Sequence, residues 1–209
     1  MRTRLVIMAK APRAGLVKTR LIPALGAQGA ADLAWAMLQR TLRTAQASLG
    51  QAIHSVKLCA SPALSNPAWQ GYCTPAGMDW CEQGTGDLGQ RMARVVQVGL
   101  AAGEAVLLIG TDVPDLTPAL LQDAACALQT HDVSLLPTHD GGYALLGLRC
   151  FVPAIFVDMP WSTSAVCALT LQRLTSLTVH IGPTLHDVDE AADLAHWPEP
   201  LAFTPPLAS

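Results

Sequence analysis

The stretch Ala9-Lys10-Ala11-Pro12-Arg13-Ala14-Gly15-Leu16-Val17-Lys18-Thr19-Arg20 carries four cations, one glycine and no acid. The first acid in the chain is Asp32, so nothing close in sequence neutralises these charges. A multivalent anion such as a diphosphate or triphosphate is their natural partner, although a solvated basic turn has the same composition. The spacing matches neither common phosphate fingerprint. A P-loop joins its last glycine directly to Lys-Ser/Thr, whereas Leu16 and Val17 separate Gly15 from Lys18 and Thr19. The loop also lacks Gly-x-Gly-x-x-Gly, so P-loop kinases and nicotinamide enzymes both lose support.

Three further segments concentrate groups that could do chemistry. Leu107-Leu108-Ile109-Gly110-Thr111-Asp112-Val113-Pro114-Asp115 is an apolar strand that delivers two carboxylates at its end. Carboxylate oxygens suit Mg²⁺ or Mn²⁺, ions that bridge a few acids to substrate phosphates; Asp beside Pro is also a frequent turn former. In His139-Asp140-Gly141-Gly142-Tyr143 the paired glycines let a backbone approach a ligand closely, or simply make a hairpin turn. His186-Asp187-Val188-Asp189-Glu190 places three acids ahead of a last helix, where capping is their default role and Asp187 is a possible second metal ligand. His54, His131, His180 and His196 have no metal-ligand spacing, and Gly-x-Ser-x-Gly is absent, which removes support for zinc and serine hydrolases.

The elements that must position these groups alternate. Leu5 to Met8 reads as a buried parallel strand, and Leu33, Met37, Leu38 and Leu42 as a helix after the Gly26 to Gly29 break. Ser55 to Ala60 is a second strand, followed by an irregular connection from Ser61 to Gly77. Leu88 to Leu100 is helical, Ala105 to Gly110 a strand, and Thr117-Pro118 opens the next helix as N-cap and first helical residue. Val133 to Leu136 and Tyr143 to Leu148 are strands whose Gly-Gly connection permits an antiparallel reversal. A helix capped by Ser162 and running to about Leu174, a strand Thr178 to Ile181 and a short helix Val188 to His196 complete the series. Such alternation implies an α/β fold, a mostly parallel sheet with helices on both faces, whose ligands bind at the carboxyl ends of the strands.

Composition bounds the class. At 209 residues the chain suits one domain, taken as 1–197 with a Pro-rich tail at 198–209. A 51% hydrophobic and 14% charged composition excludes disorder, and the longest uninterrupted apolar runs are too short for membrane insertion. Leu5 to Ala9 is also shorter than a signal-peptide core, which leads to the expectation of a cytoplasmic protein. The net charge of -3 gives no general attraction to nucleic acid, yet six of the 13 basic side chains fall in the first 20 positions. Cys59, Cys73, Cys81, Cys126, Cys150 and Cys167 contain no Cys-x-x-Cys pair and read as buried or inert thiols.

The ordered motifs Met8 to Gly15 with Lys18-Thr19-Arg20-Leu21, Gly86-Asp87-Leu88-Gly89-Gln90-Arg91-Met92, Gly110 to Leu116, Asp140 to Tyr143, Trp161-Ser162-Thr163 and Asp187-Val188-Asp189 together resemble a small bacterial family. It is the GT-A-like family of arsenosugar-biosynthesis or radical-SAM-associated glycosyltransferases, and the resemblance runs from residue 4 to residue 196. More distantly, the chain is similar to phospholactate and molybdenum cofactor guanylyltransferases. The resemblance implies a three-layer, Rossmann-like nucleotide-diphospho-sugar transferase fold, a nucleotide or nucleotide-sugar donor, a small-molecule acceptor, and Mg²⁺ or Mn²⁺. It assigns Ala9, Lys10, Arg13, Gly15, Lys18 and Arg20 to donor phosphates, and Gln83, Gly86, Asp87, Leu88 and Gly89 to the nucleotide. Asp112 becomes the primary metal ligand, with Asp115, Asp187 or Asp189 as candidates to complete the site. Gly141, Gly142, Tyr143, Trp161, Ser162 and Thr163 would face the acceptor, and Lys18, Arg20, Asp112 and Asp140 would carry catalysis. Asp112-Val113-Pro114-Asp115 is not the Asp-x-Asp of typical sugar-nucleotide enzymes. Glycosyl transfer, nucleotidyl transfer and a nucleotide-binding module without catalysis therefore stand side by side.

Overall fold

The computed structural model describes residues 1–72, 74, 75 and 77–199. The run Leu5 to Met8 lies at the centre of strand β1 (Arg2–Lys10). Strands β2 (Ile53–Ser61) and β4 (Glu104–Ile109) flank β1, both parallel to it. Outward from β2 comes β3 (Asp79–Glu82); beyond β4 lie β6 (Tyr143–Leu148), β5 (Val133–Pro137) and β7 (Val179–Ile181). The seven-stranded order is β3-β2-β1-β4-β6-β5-β7, with β6 antiparallel to both neighbours. The expected α/β architecture with a mostly parallel sheet is what the chain forms.

Alternation along the strands builds two cores. Leu5, Ile7, Leu107 and Ile109 point to one face, where they meet Leu38 and Leu42 of helix α1 (Ile22–Ala47) and Leu121 and Ala125 of α3 (Pro118–Ala127). Val6, Val106 and Leu108 point to the other, against Met92, Val95 and Val96 of α2 (Leu88–Ala101) and Leu171 of α4 (Val166–Gln172). Pairs in register keep to one face: Ile109 opposes Leu145 on the first, and Leu108 opposes Leu146 on the second. A third, smaller core joins Leu33 and Met37 of α1 to Val188 and Trp197, so the C-terminal segment is anchored against the first helix.

Several boundaries differ from the sequence reading. α1 begins before the glycine break, because Pro23 suits a first helical turn and the chain absorbs Gly26 as a kink at φ 72°. α1 with its preceding turn, Thr19–Ala47, spans 29 residues and contains an 18-residue window of mean hydropathy 1.2, long and apolar enough to cross a membrane by length and composition. Its apolar residues instead serve the first and third cores. β3 was not anticipated, since Asp79-Trp80-Cys81-Glu82 has no apolar alternation. Thr117 caps α3 as expected, its side chain accepting from the Leu120 amide. Ser162 does not cap α4; it sits at φ 65° in a turn, and the helix starts after Ala165. The last helix is a 3₁₀ turn, Ala191–His196, opened by reciprocal bonds between Glu190 and Asp193. Of the expected tail, Glu199 pairs with Arg40 and Arg43 of α1, and residues from 200 onward lie outside the described residues.

Candidate functional site

The basic loop leaves the carboxyl end of β1 and is held from above by the connection after β2. The Ala11 amide donates to the Ser61 carbonyl at 2.9 Å, Arg13 donates to the Pro67 carbonyl, and the Tyr72 hydroxyl donates to the Pro12 carbonyl. Lys10, Arg13, Leu16, Val17, Ser61 and Pro62 line an open cavity of about 200 Å³ beside the loop. Lys10 is exposed, and among the described residues neither Lys10 nor Arg13 is paired with an acid. Both remain available to an anion.

The other half of the loop behaves differently. Lys18 takes a left-handed backbone (φ 46°, ψ 43°) that turns its side chain beneath the loop, where only 6% of it is exposed. Its ammonium contacts Asp112 Oδ1 at 3.0 Å, Asp189 Oδ1 at 3.3 Å and the Val188 carbonyl at 2.6 Å. The Val188 amide returns a bond to the Asp112 carbonyl at 2.9 Å. Burial alone disfavours the Lys18 charge, yet Asp112 and Asp189 outweigh it and hold its pKa above the ordinary lysine value. Arg20 pairs with Asp189 at 3.1 Å and Glu190 at 3.6 Å. The expectation that nothing acidic neutralises the loop thus fails for Lys18 and Arg20. Asp189, the counter-charge they share, lies 171 positions from Lys18 and 169 from Arg20 in the chain.

Around this knot the carboxylates divide. Asp112 keeps 48% of its side chain exposed and shares Lys18 with Asp189, not with Asp187. Asp187 is pushed up to about 6, by burial first and then by the nearby charge of Asp140. Asp140 itself closes a turn, its Oδ1 accepting from the Thr138 hydroxyl at 2.5 Å and the Gly142 amide at 2.8 Å. Asp115 is exposed and lies ahead of the α3 cap. Among the described residues, no three of His, Cys, Asp and Glu converge as a complete metal-ligand set. The oxygen donors present do suit a hard divalent ion that keeps waters and takes further ligands from substrate phosphates.

Much of the segment after β3 is tied into the fold, while Gly86, Asp87 and Leu88 stay exposed. Gln83 is 3% exposed and its amide donates to the Ala9 and Cys59 carbonyls, both at 3.0 Å, stapling the ends of β1 and β2 instead of facing a base. Asp87 caps α2 in reciprocal bonds with Gln90, and the Gly86 carbonyl accepts from Arg91. A Cβ on Gly89 would lie 2.1 Å from the Phe156 carbonyl, so this glycine permits close helix packing. Leu88, half exposed, is the one member of the stretch that opens to solvent on an apolar side chain.

The acceptor candidates are partly brought together. Gly141 (φ 88°) abuts Ser164, and its carbonyl accepts from the Cys167 amide at 2.8 Å, which sets the Trp161-Ser162-Thr163 turn beside the Gly141-Gly142 turn. Ser162 and Thr163 are exposed, whereas Trp161 packs on Gly89. Tyr143 departs from expectation: its hydroxyl is buried without a hydrogen-bond partner, and burial pushes its pKa well above the phenol range. The sequence marks Asp189 as a capping acid and a candidate to complete the metal site, but sequence reading missed its role as the partner of Lys18 and Arg20. It also missed the ring stack His139-His186-His196, with centroids 4.0 and 3.8 Å apart. No local spacing announces that stack, because its members come from three separate elements.

Among solved structures, a protein from Desulfovibrio desulfuricans G20, assigned as a nucleotide-diphospho-sugar transferase, is 31% identical over 93% of this chain and 85% of its own, at a TM-score of 0.81. Rv0371c from Mycobacterium tuberculosis H37Rv, solved as a manganese complex, shares the fold at 18% identity, covering 94% of this chain and 97% of its own with a TM-score of 0.57. CMP:2-keto-3-deoxy-manno-octonic acid synthetase, solved with CTP, does so at 12% identity, with 94% and 97% coverage and a TM-score of 0.57. No curated protein matches the sequence significantly. With residues 41–163 matched by its family profile, a span that includes Asp112 and Asp140, the chain belongs to the family described as an uncharacterized protein conserved in bacteria, DUF2064.

Proposed function

We propose that this chain is a divalent-metal-dependent transferase that takes a nucleotide donor, and that the donor is a nucleotide sugar whose glycosyl group passes to a small acceptor. The observation that carries the reading is the Lys18 ammonium shared between Asp112 and Asp189. It supports a single location, at the carboxyl ends of β1 and β4, for both a cationic loop and exposed carboxylates. Lys10 and Arg13, free of acidic partners, bind the donor phosphates, and Arg20 adds charge at the rim. Lys18 orients Asp112. Asp112 with Asp189 or Asp187 would hold Mg²⁺ or Mn²⁺, which when bound supplies neutralisation of the leaving nucleoside diphosphate. Asp140 is placed on the acceptor side as the base for an acceptor hydroxyl, and where Asp189 rather than Asp187 completes the metal site, the Asp187 carboxyl near 6 is also suited to accept that proton. The fold shared with the transferases above is consistent with this reading.

Nucleotidyl transfer is the second reading, favoured by Asp112-Val113-Pro114-Asp115 in place of Asp-x-Asp. A phosphorylated acceptor would then attack the α-phosphate of a nucleoside triphosphate, with the same loop balancing the charge of departing pyrophosphate. A thermal-shift screen of sugar nucleotides and nucleoside triphosphates, with and without Mn²⁺, separates the two. Stabilisation by sugar nucleotides supports the first, and by triphosphates alone the second. Asp112→Asn is expected to abolish the Mn²⁺-dependent part of the shift; an unchanged metal response would overturn the assignment of Asp112 and favour binding without catalysis.

A further inference from the structure

Two cysteines outside the proposed site stand side by side. Cys59 of β2 and Cys81 of β3 are partners in the parallel register, bracketed by the pair Lys57–Asp79, whose 3.0 Å ion pair fixes that register. Both side chains fall on the face covered by α2, Cys59 fully buried in that core and Cys81 at its margin. Strand spacing of about 4.8 Å sets their Cα atoms within the roughly 4.4–6.8 Å that a disulfide spans. β3 has four residues and forms the edge of the sheet, so Cys81 reaches solvent where Cys59 does not. Both thiols are free.

The pair is also chemically unequal. The interaction with the neighbouring Cys59 thiol, together with the Lys57 and Arg4 charges, outweighs burial and the Asp79 charge and brings Cys81 down to about 7. Cys59 is pushed up by the same interaction and by its burial. A partly exposed thiol with thiolate character beside a buried, protonated one is the arrangement of an attacking and a resolving cysteine.

We propose that Cys59 and Cys81 form a reversible thiol–disulfide pair that reacts with low-molecular-weight disulfides. The Cys81 thiolate attacks one sulfur of the disulfide RSSR, forming a mixed disulfide and releasing RS⁻, which takes up a proton. Cys59 then loses its proton to solvent and attacks the Cys81 sulfur, expelling the second RS⁻, which is protonated in turn. The balance is two protein thiols plus RSSR giving one protein disulfide plus two RSH, with two electrons passing to RSSR. This goes beyond the sequence-based reading of these cysteines as buried or inert thiols, which holds for the burial of Cys59.

The test uses the full chain and glutathione disulfide. Trypsin leaves Cys59, Cys73 and Cys81 in one peptide, so cleavage before Asp79 and after Trp69 or Tyr72 is needed to separate them. The expected result for the wild type is the loss of two thiols, no retained glutathione, and a cross-link joining the Cys59 and Cys81 fragments. In Cys59→Ala, one glutathione should remain trapped on Cys81. Glutathione persisting on Cys81 in the wild type, a cross-link from Cys81 to Cys73, or an unreactive Cys81 while other cysteines are modified would each overturn the proposal. The wild-type mapping decides the matter even if the variant fails to fold.

Discussion

Replacing Lys18 with Met tests whether the buried ammonium bolts the first loop to the acidic segment. Met keeps the apolar stem and the same backbone penalty at φ 46°, so the comparison isolates the charge. Removing one partner from a fully buried pair costs about 3–5 kcal/mol. Here Asp112 and Asp189 retain 48% and 41% exposure and would be rehydrated, which lowers the cost. A loss of about 2 kcal/mol, within the range for hydrogen bonds to charged groups, is expected. For a chain of this size that is a fall of about 4–8 °C in Tm, read by calorimetry or by urea unfolding with an unchanged slope. The sign with pH follows from the raised pKa of Lys18 in the folded state. Its contribution is complete below the unfolded value of 10.5 and is lost as pH climbs through the higher folded value. The wild-type advantage should therefore be constant between about pH 6 and 9 and shrink above that range. An Lys18→Met protein as stable as the wild type at neutral pH would refute the bolt.

Three further outcomes follow from the geometry. Asp187, raised to about 6, binds its proton more tightly in the folded chain, so stability falls as pH rises from about 4 to 6. Asp187→Asn should gain on the order of 1–2 kcal/mol at neutral pH, discounted for partial exposure, with no gain below about pH 4; equal pH profiles of unfolding for both proteins would rule this out. Gly89→Ala drives a methyl group toward the Phe156 carbonyl, and a destabilisation of about 1–3 kcal/mol should appear in denaturant midpoints; an unchanged midpoint would show that the contact yields freely. Lys10→Ala should leave stability within about 0.5 kcal/mol of the wild type while reducing the thermal shift produced by a phosphate-bearing ligand, and an undiminished shift would remove Lys10 from the phosphate site.

Local chemistry made much of the fold legible. The β1 strand, the Thr117-Pro118 helix start and the antiparallel reversal at Gly141-Gly142 each depend on residues within a few positions of one another, and each formed as read. So did the placement of the basic loop and Asp112 at strand ends, because α/β alternation alone brings those ends to one edge of a sheet. What the sequence could not reveal required distant segments to meet. β6 lies between β4 and β5 and pairs antiparallel with both, an arrangement that joins β4 to a strand beyond α3 and β5 in the chain. Asp189 reaches Lys18, and Cys59 meets Cys81, only because the strands and the C-terminal segment pack in one particular register. Charge and composition named four loop cations alike. Tertiary structure alone separated Lys10 and Arg13, which face open space, from Lys18, whose buried ammonium is already held by carboxylates. The physical reason is that periodicity and capping act within a turn or two of chain, while the partners of a buried charge are settled by where the whole sheet brings its ends together.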